Sequence, residues 1–283
     1  MYNNLPTNAT LLIFAINILF FLVDLLNRKN SIDTNSMLYV FNRSIYTSLF
    51  SIVWVLFYLN DQHFESINDL LQIIAYAFLC GLGLYLFILS NKYLKFTNIL
   101  FIQLIGHVLH QIVGYLLFRD SLNEFYILTS ILLVIGIFIQ TSIPNQRKGF
   151  IYALLSTISW TLGYSLMSTP LKNVSTPLSV MTLELTIMLT FLVLFKVTNP
   201  QSSRILLKEK TPILILISSI TIIGSFLLNY TYKNYLISEI GYVNLLVMPI
   251  FIFISLRINR ETISKKELIA NGFILAAYIV SLL

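Results

Sequence analysis

Charge is scarce in this chain. Of its 283 residues only 11% are Asp, Glu, Lys or Arg, against about 25% in soluble domains. Nothing polar is left to cover a water-soluble bundle, which excludes that class. Cysteine is limited to Cys80, so no intrachain disulfide is available, and its place inside an apolar run reads as packing. No loop combines a basic run with interleaved aromatics, so the net charge of +6 does not point to nucleic acid. It fits loop lysines and arginines beside anionic headgroups. No Gly-rich phosphate loop occurs, so ATP is not the direct driver. No cluster of acid, base or metal-ligating groups lies near one face, so we expect no enzyme activity, metal or cofactor. No basic residue precedes the first apolar run and no small-residue site follows it, so no cleavable signal is expected. No loop is long enough for a separate soluble domain.

What the chain does have is apolar sequence, 57% of the total, in runs of the length that crosses a bilayer as helix. Ten runs can be placed, at 9–27, 36–58, 70–90, 97–118, 124–143, 149–168, 177–197, 212–231, 238–258 and 267–283, with bounds good to about four residues. A shift of 141 residues places Lys92 on Lys233, Arg119 on Arg260, Asp120 on Glu261 and Gly83 on Gly224. The expected fold is therefore an all-α integral membrane protein of ten transmembrane helices, built as two five-helix repeats, 1–143 and 144–283. An odd number of spans per repeat inverts the second half, which sets a cavity between the halves near the midplane.

Two segments carry a resemblance. Arg119-Asp120-Ser121-Leu122 followed by Gly136, and Arg260-Glu261-Thr262-Ile263 followed by Gly272, resemble the paired ends of EamA-type domains. Pro249, Asn42-Arg43-Ser44 and Ser159-Trp160 fit the same pattern. The chain is thus similar, over nearly its whole length, to the drug/metabolite transporter superfamily. Its departures are Asp120 as the acidic residue of the first half, arginine in place of the usual glycine in both halves, and no proline answering Pro249. The resemblance implies a ten-span secondary transporter. It also implies cytoplasmic termini, whereas the basic loop residues, three on the amino-terminal side and fourteen on the other, favour the opposite orientation.

Ionisable residues deep in spans are costly and so are candidates for function. Arg43 and Glu184 each lie about 10 Å into their spans at 1.5 Å per residue, and the 141-residue shift maps one onto the other. They can line opposite walls of one cavity, as a pair or as sites for the carboxylate and amine of a zwitterion. The alternatives are a snorkelling Arg43 and a structural partner for Glu184. Span four carries Gln103, His107, His110, Gln111 and Gly114 on one helical face, and either histidine can carry a coupled proton. Interhelical hydrogen bonding is the alternative. Asn244 answers Gln103 in span nine, and Met248 answers His107. Trp160 and Tyr164 share a face of span six, as a wall for amphipathic or cationic substrates, as core packing, or as an interfacial belt for Trp160. Asn17 and Asp24 lie in span one, with Asp24 expected to pair with Arg28 four residues on. Asp120 and Glu261 are expected to cap the helices that follow them. Gly81, Gly83, Gly224 and Gly241 read as sites of close helix approach.

The functional expectation is a secondary transporter, an exporter of small metabolites such as amino acids or amphipathic compounds, working by alternating access. A membrane-embedded enzyme and a non-transporting scaffold are the alternatives. The expected partners are the lipid bilayer, a small-molecule substrate and protons, with no nucleic acid, as monomer or homodimer. A multi-pass place in a bacterial inner membrane follows from the same reading.

Overall fold

The computed structural model describes residues 7–119, 125–143, 146–201, 206–235 and 250–280. Among them lie ten α-helices: α1 (Thr7–Ser31), α2 (Ser36–Phe57), α3 (Ile67–Ser90), α4 (Phe96–Phe118), α5 (Tyr126–Thr141), α6 (Arg147–Leu171), α7 (Thr176–Thr198), α8 (Thr211–Asn234), α9 (Ile250–Asn259) and α10 (Lys265–Val280). Seven, α1 to α4 and α6 to α8, are long and apolar enough to cross a bilayer. Helices α5 and α9 are apolar but shorter within the described residues. Most of the expected span 238–258, with Gly241, Asn244, Met248 and Pro249, lies outside them, as does Asp120.

Around its apolar core the bundle exposes many large apolar side chains and buries many polar ones. Phe57, Phe138 and Val197 are 82%, 74% and 73% exposed, while Asn98, Ser179 and Thr231 are fully buried. Apolar side chains on the outside suit hydrocarbon, and polar side chains inside find partners on neighbouring helices. With this pattern the chain is an integral, multi-pass membrane protein.

Helix ends follow local chemistry. Asn35 and Ser66 accept backbone N–H groups at the starts of α2 and α3, and prolines open α7 and α8, where their missing N–H costs nothing. Arg119 and Arg260 both have left-handed backbone, with φ of 58° and 50°. These are the two arginines standing where glycine is usual in the resembling family, and the conformation is one that glycine adopts without strain.

Packing pairs α3 with α6 and α1 with α8, α2 with α8 and α3 with α7, α2 with α7, and α5 with α10. Gly83 and Gly106 are two of several glycines that permit close approach beside the cavity. A Cβ on Gly83 would stand 2.8 Å from the Trp160 ring, and one on Gly106 would stand 2.7 Å from Thr157 Cγ2.

Two expectations about ends need correction. Glu261 does not cap α10. Its carboxylate accepts the N–H groups of Phe96 (2.8 Å) and Thr97 (2.9 Å) at the start of α4 and pairs with Arg28 at 3.3 Å. Helix α10 is capped by Ser264 and Glu267 instead. The Ser264 hydroxyl accepts from the Glu267 N–H at 3.3 Å, and Glu267 accepts from the Ser264 N–H at 2.6 Å. That reciprocal Ser-x-x-Glu box was legible in the sequence. Asp24, in turn, makes no ion pair with Arg28, whose guanidinium is taken by Glu261 and the Leu94 carbonyl.

Candidate functional site

A cavity of about 210 Å³ lies inside the bundle, walled by α1 to α4 and α6 to α9. Arg43 on α2 and Glu184 on α7 both line it. Each is held by a hydroxyl from a neighbouring helix. Arg43 Nη2 donates to Thr221 Oγ1 of α8 at 3.0 Å, and Glu184 Oε2 accepts from Thr47 Oγ1 of α2 at 2.7 Å. Both are buried, at 7% and 5% exposure, so Arg43 does not snorkel. The ion pairs among the described residues are Arg28–Glu261 and Lys95–Glu267, so Arg43 and Glu184 share the cavity without closing on each other. The Arg43 Nε–H is buried with no partner, a state that normally costs a kcal/mol or more.

Asp24 joins them. It lines the cavity and accepts weakly from Gln103 Nε2 at 3.4 Å. Sequence spacing favoured Arg28 as its partner, but Asp24 turns toward α4 once α1 packs into the bundle.

Of the polar face of α4, Gln103 and His110 reach the cavity, together with Gly106. The His107 side chain lies outside the described residues. Gln111 and Gly114 are not part of the lining. His110 is engaged at both ring nitrogens, Nδ1 with the Gly106 carbonyl (2.9 Å) and Nε2 with the Tyr232 hydroxyl (2.7 Å). A carbonyl only accepts, so Nδ1 carries a proton, and in the neutral ring the tyrosine donates to Nε2. Trp160 and Tyr164 also line the cavity. Trp160 sits mid-helix in α6, which excludes the interfacial belt, and packs on Phe87 with ring centroids 5.5 Å apart. Tyr164 stacks on Tyr232 at 5.7 Å with an interplanar angle of 8°. Cys80 is buried, packs at Gly163, and borders the same space.

The missed contribution is α8. Ser218, Thr221, Ser225, Asn229 and Tyr232 are all buried at spacings of three and four, one helical face. Thr221, Ser225 and Tyr232 line the cavity. The stripe was visible in the sequence as the same periodicity that marked α4. Its hydroxyls drew less notice than charges and histidines.

The arrangement is a chamber holding two carboxyl groups, one guanidinium and a tyrosine pair, set in apolar surroundings, with hydroxyls fixing Arg43 and Glu184 and the Gln103 amide meeting Asp24. It can bind a small polar solute at bilayer depth. Comparison with known proteins narrows the class. Residues 147–283 match the model of the EamA-like transporter family. That match supports membership of the drug/metabolite transporter superfamily. No curated protein is significantly similar to it. Among solved structures, one described only as "Crystal structure of protein" is similar with a TM-score of 0.65 at 14% identity, over 97% of both chains. That likeness is one of fold.

Proposed function

We propose that this protein is a secondary active transporter, an exporter of small metabolites, that works by alternating access in a bacterial inner membrane. The observation that carries the reading is the shared cavity of Arg43, Glu184 and Asp24, three ionisable groups without ion-pair partners among the described residues, inside an apolar bundle. Such groups are expensive in a membrane protein and are retained where a polar solute or ion passes. The volume, about 210 Å³, falls below the roughly 300 Å³ at which drug-sized pockets begin, so a metabolite suits it better than a bulky drug.

The architecture we propose is ten spans in two inverted five-helix repeats, 1–143 and 144–283. The helix pairing supports it. Advancing each helix by five turns the α3–α6 pair into α8–α1 and α2–α8 into α7–α3, and returns α2–α7 and α5–α10 to themselves. A pseudo-two-fold axis produces such a pattern. The matched left-handed arginines, Arg119 and Arg260, support the same relation. Driving force comes from a proton gradient or substrate exchange.

The test is flux into or out of proteoliposomes holding the full chain, with amino acids, sugars, nucleosides and quaternary amines as solutes, with and without a pH gradient. Transport of at least one solute, abolished or strongly reduced in Arg43→Gln and Glu184→Gln, is the expected result. Full flux in both variants removes these residues from the mechanism. No flux for any class, from protein that remains folded, sinks the transporter reading.

A further inference from the structure

Three ionisable groups in the cavity are held by residues that lie close in depth. Counting about 1.5 Å per residue from the end where α2, α4 and α8 begin, Gln103, which holds Asp24, is about 10 Å deep. Thr221, which holds the Arg43 guanidinium, is about 15 Å deep, and Thr47, which holds Glu184, is about 16 Å deep. The cavity therefore presents a carboxylate, a guanidinium and a second carboxylate within roughly one helical turn of depth. Neither carboxylate has a cation within ion-pair distance among the described residues. The guanidinium keeps its Nε–H unused, and the Asn27 Nδ2 donor, on a fully buried side chain that also borders the cavity, has no partner either.

A ligand that pairs each of these groups separately carries one carboxylate and two cationic groups. The carboxylate meets Arg43 Nε and Asn27 Nδ2, two donors that are otherwise stranded. The two ammonium groups meet Asp24 and Glu184. Each contact is a charge-assisted hydrogen bond, the stronger kind, in a place where water competes weakly. A neutral zwitterion leaves the set one negative charge in excess, and a simple amine balances the charge but gives the stranded Arg43 Nε–H and Asn27 Nδ2 no acceptor. On the transporter reading above, we propose that the solute is a diamino carboxylic acid of net charge +1, the chemical class of lysine and ornithine.

The experiment is equilibrium binding of radiolabelled L-lysine to the full-length protein in lipid nanodiscs. L-norleucine, which lacks the side-chain amine, and cadaverine, which lacks the carboxylate, serve as competitors. Lysine is expected to bind about tenfold or more tightly than either, since one lost charge-assisted contact is worth about a factor of ten or more. Asp24→Asn and Glu184→Gln are expected to erase the preference for lysine over norleucine, and Arg43→Gln the preference for lysine over cadaverine. The wild-type comparison decides the matter even where a variant fails to fold. Norleucine binding as tightly as lysine, or no binding of lysine, overturns the proposal. The two readings fail separately: flux of a neutral solute without lysine preference sinks only the substrate class, whereas lysine bound but never transported sinks the transporter and leaves the binding site.

Discussion

At the end of the bundle that holds Arg28 and Glu267, polar ties join helix to helix across the whole cross-section. Glu267 accepts from Lys95, Asn98 and Gln146. Glu261 links α1 to the start of α4. Lys92 and Lys210 donate to carbonyls at the end of α1 and just beyond it, where cations also meet the negative end of the helix dipole. Asn42 accepts from the Leu207 N–H and Lys266 donates to the Ser142 carbonyl. At the opposite end the ties among described residues are fewer and run mainly between two loops. The Phe64–Val174 bridge, the Ser175 hydroxyl on Gln62, Asn173 on Asp69 at 3.3 Å and Lys233 on the Val174 carbonyl make up most of them. One end is stapled by buried and half-buried carboxylates and the other by backbone pairing and a few half-buried side chains. The basic residues counted at the first end are therefore partly structural: Arg28, Lys92, Lys95 and Lys210 serve helix ends and carboxylates. That use of cations adds to any excess set by membrane orientation, and it explains how charge count and family habit come to disagree.

Substitutions can break this contrast. The largest effect is expected for Glu261→Ala, which strands Arg28 and uncaps α4. A loss of about 3 kcal/mol is expected for such a partly buried pair with two backbone N–H partners, read as a lower Tm in detergent. Glu267→Ala removes the α10 cap and the anchor for Lys95, Asn98 and Gln146. A loss of about 2 kcal/mol is expected, smaller because Lys95 is 34% exposed and is rehydrated on release. Arg260→Gly moves in the other direction. It relieves a left-handed residue and raises stability by about 1 kcal/mol, less the entropy glycine adds to the unfolded chain. Asn173→Ala, at the opposite end, is expected to cost only about 0.5 kcal/mol. If Asn173→Ala lowers Tm as much as Glu261→Ala, the two ends are equally stapled and the contrast is wrong.

The same asymmetry separates what was readable in the chain from what was not. Helix positions followed from apolar run lengths, because hydrocarbon thickness fixes how many residues a span needs. Arg43, Glu184, Gln103, His110, Trp160 and Tyr164 stood out as costly or unusual groups, and all six border one cavity. Partners were harder. Asp24 and Arg28 are one turn apart, which favoured a pair between them, yet Asp24 meets Gln103 of α4 and Arg28 meets Glu261 in the loop between α9 and α10. Glu261 was assigned to the helix after it because capping is a local rule, whereas its carboxylate reaches back 165 positions to the N–H of Phe96. Helix α8 was overlooked because serine and threonine are cheap to bury and leave a weak signal.

Composition and run length alone made this a multi-pass helical membrane protein, because a chain so poor in charge has no other way to satisfy its backbone and shield its apolar surface. Which buried polar groups meet, and which stay unpaired around a cavity, only the packing of the helices decided. Hydrogen bonds and ion pairs depend on distances of a few ångströms between residues far apart in sequence, and no periodicity along the chain encodes those.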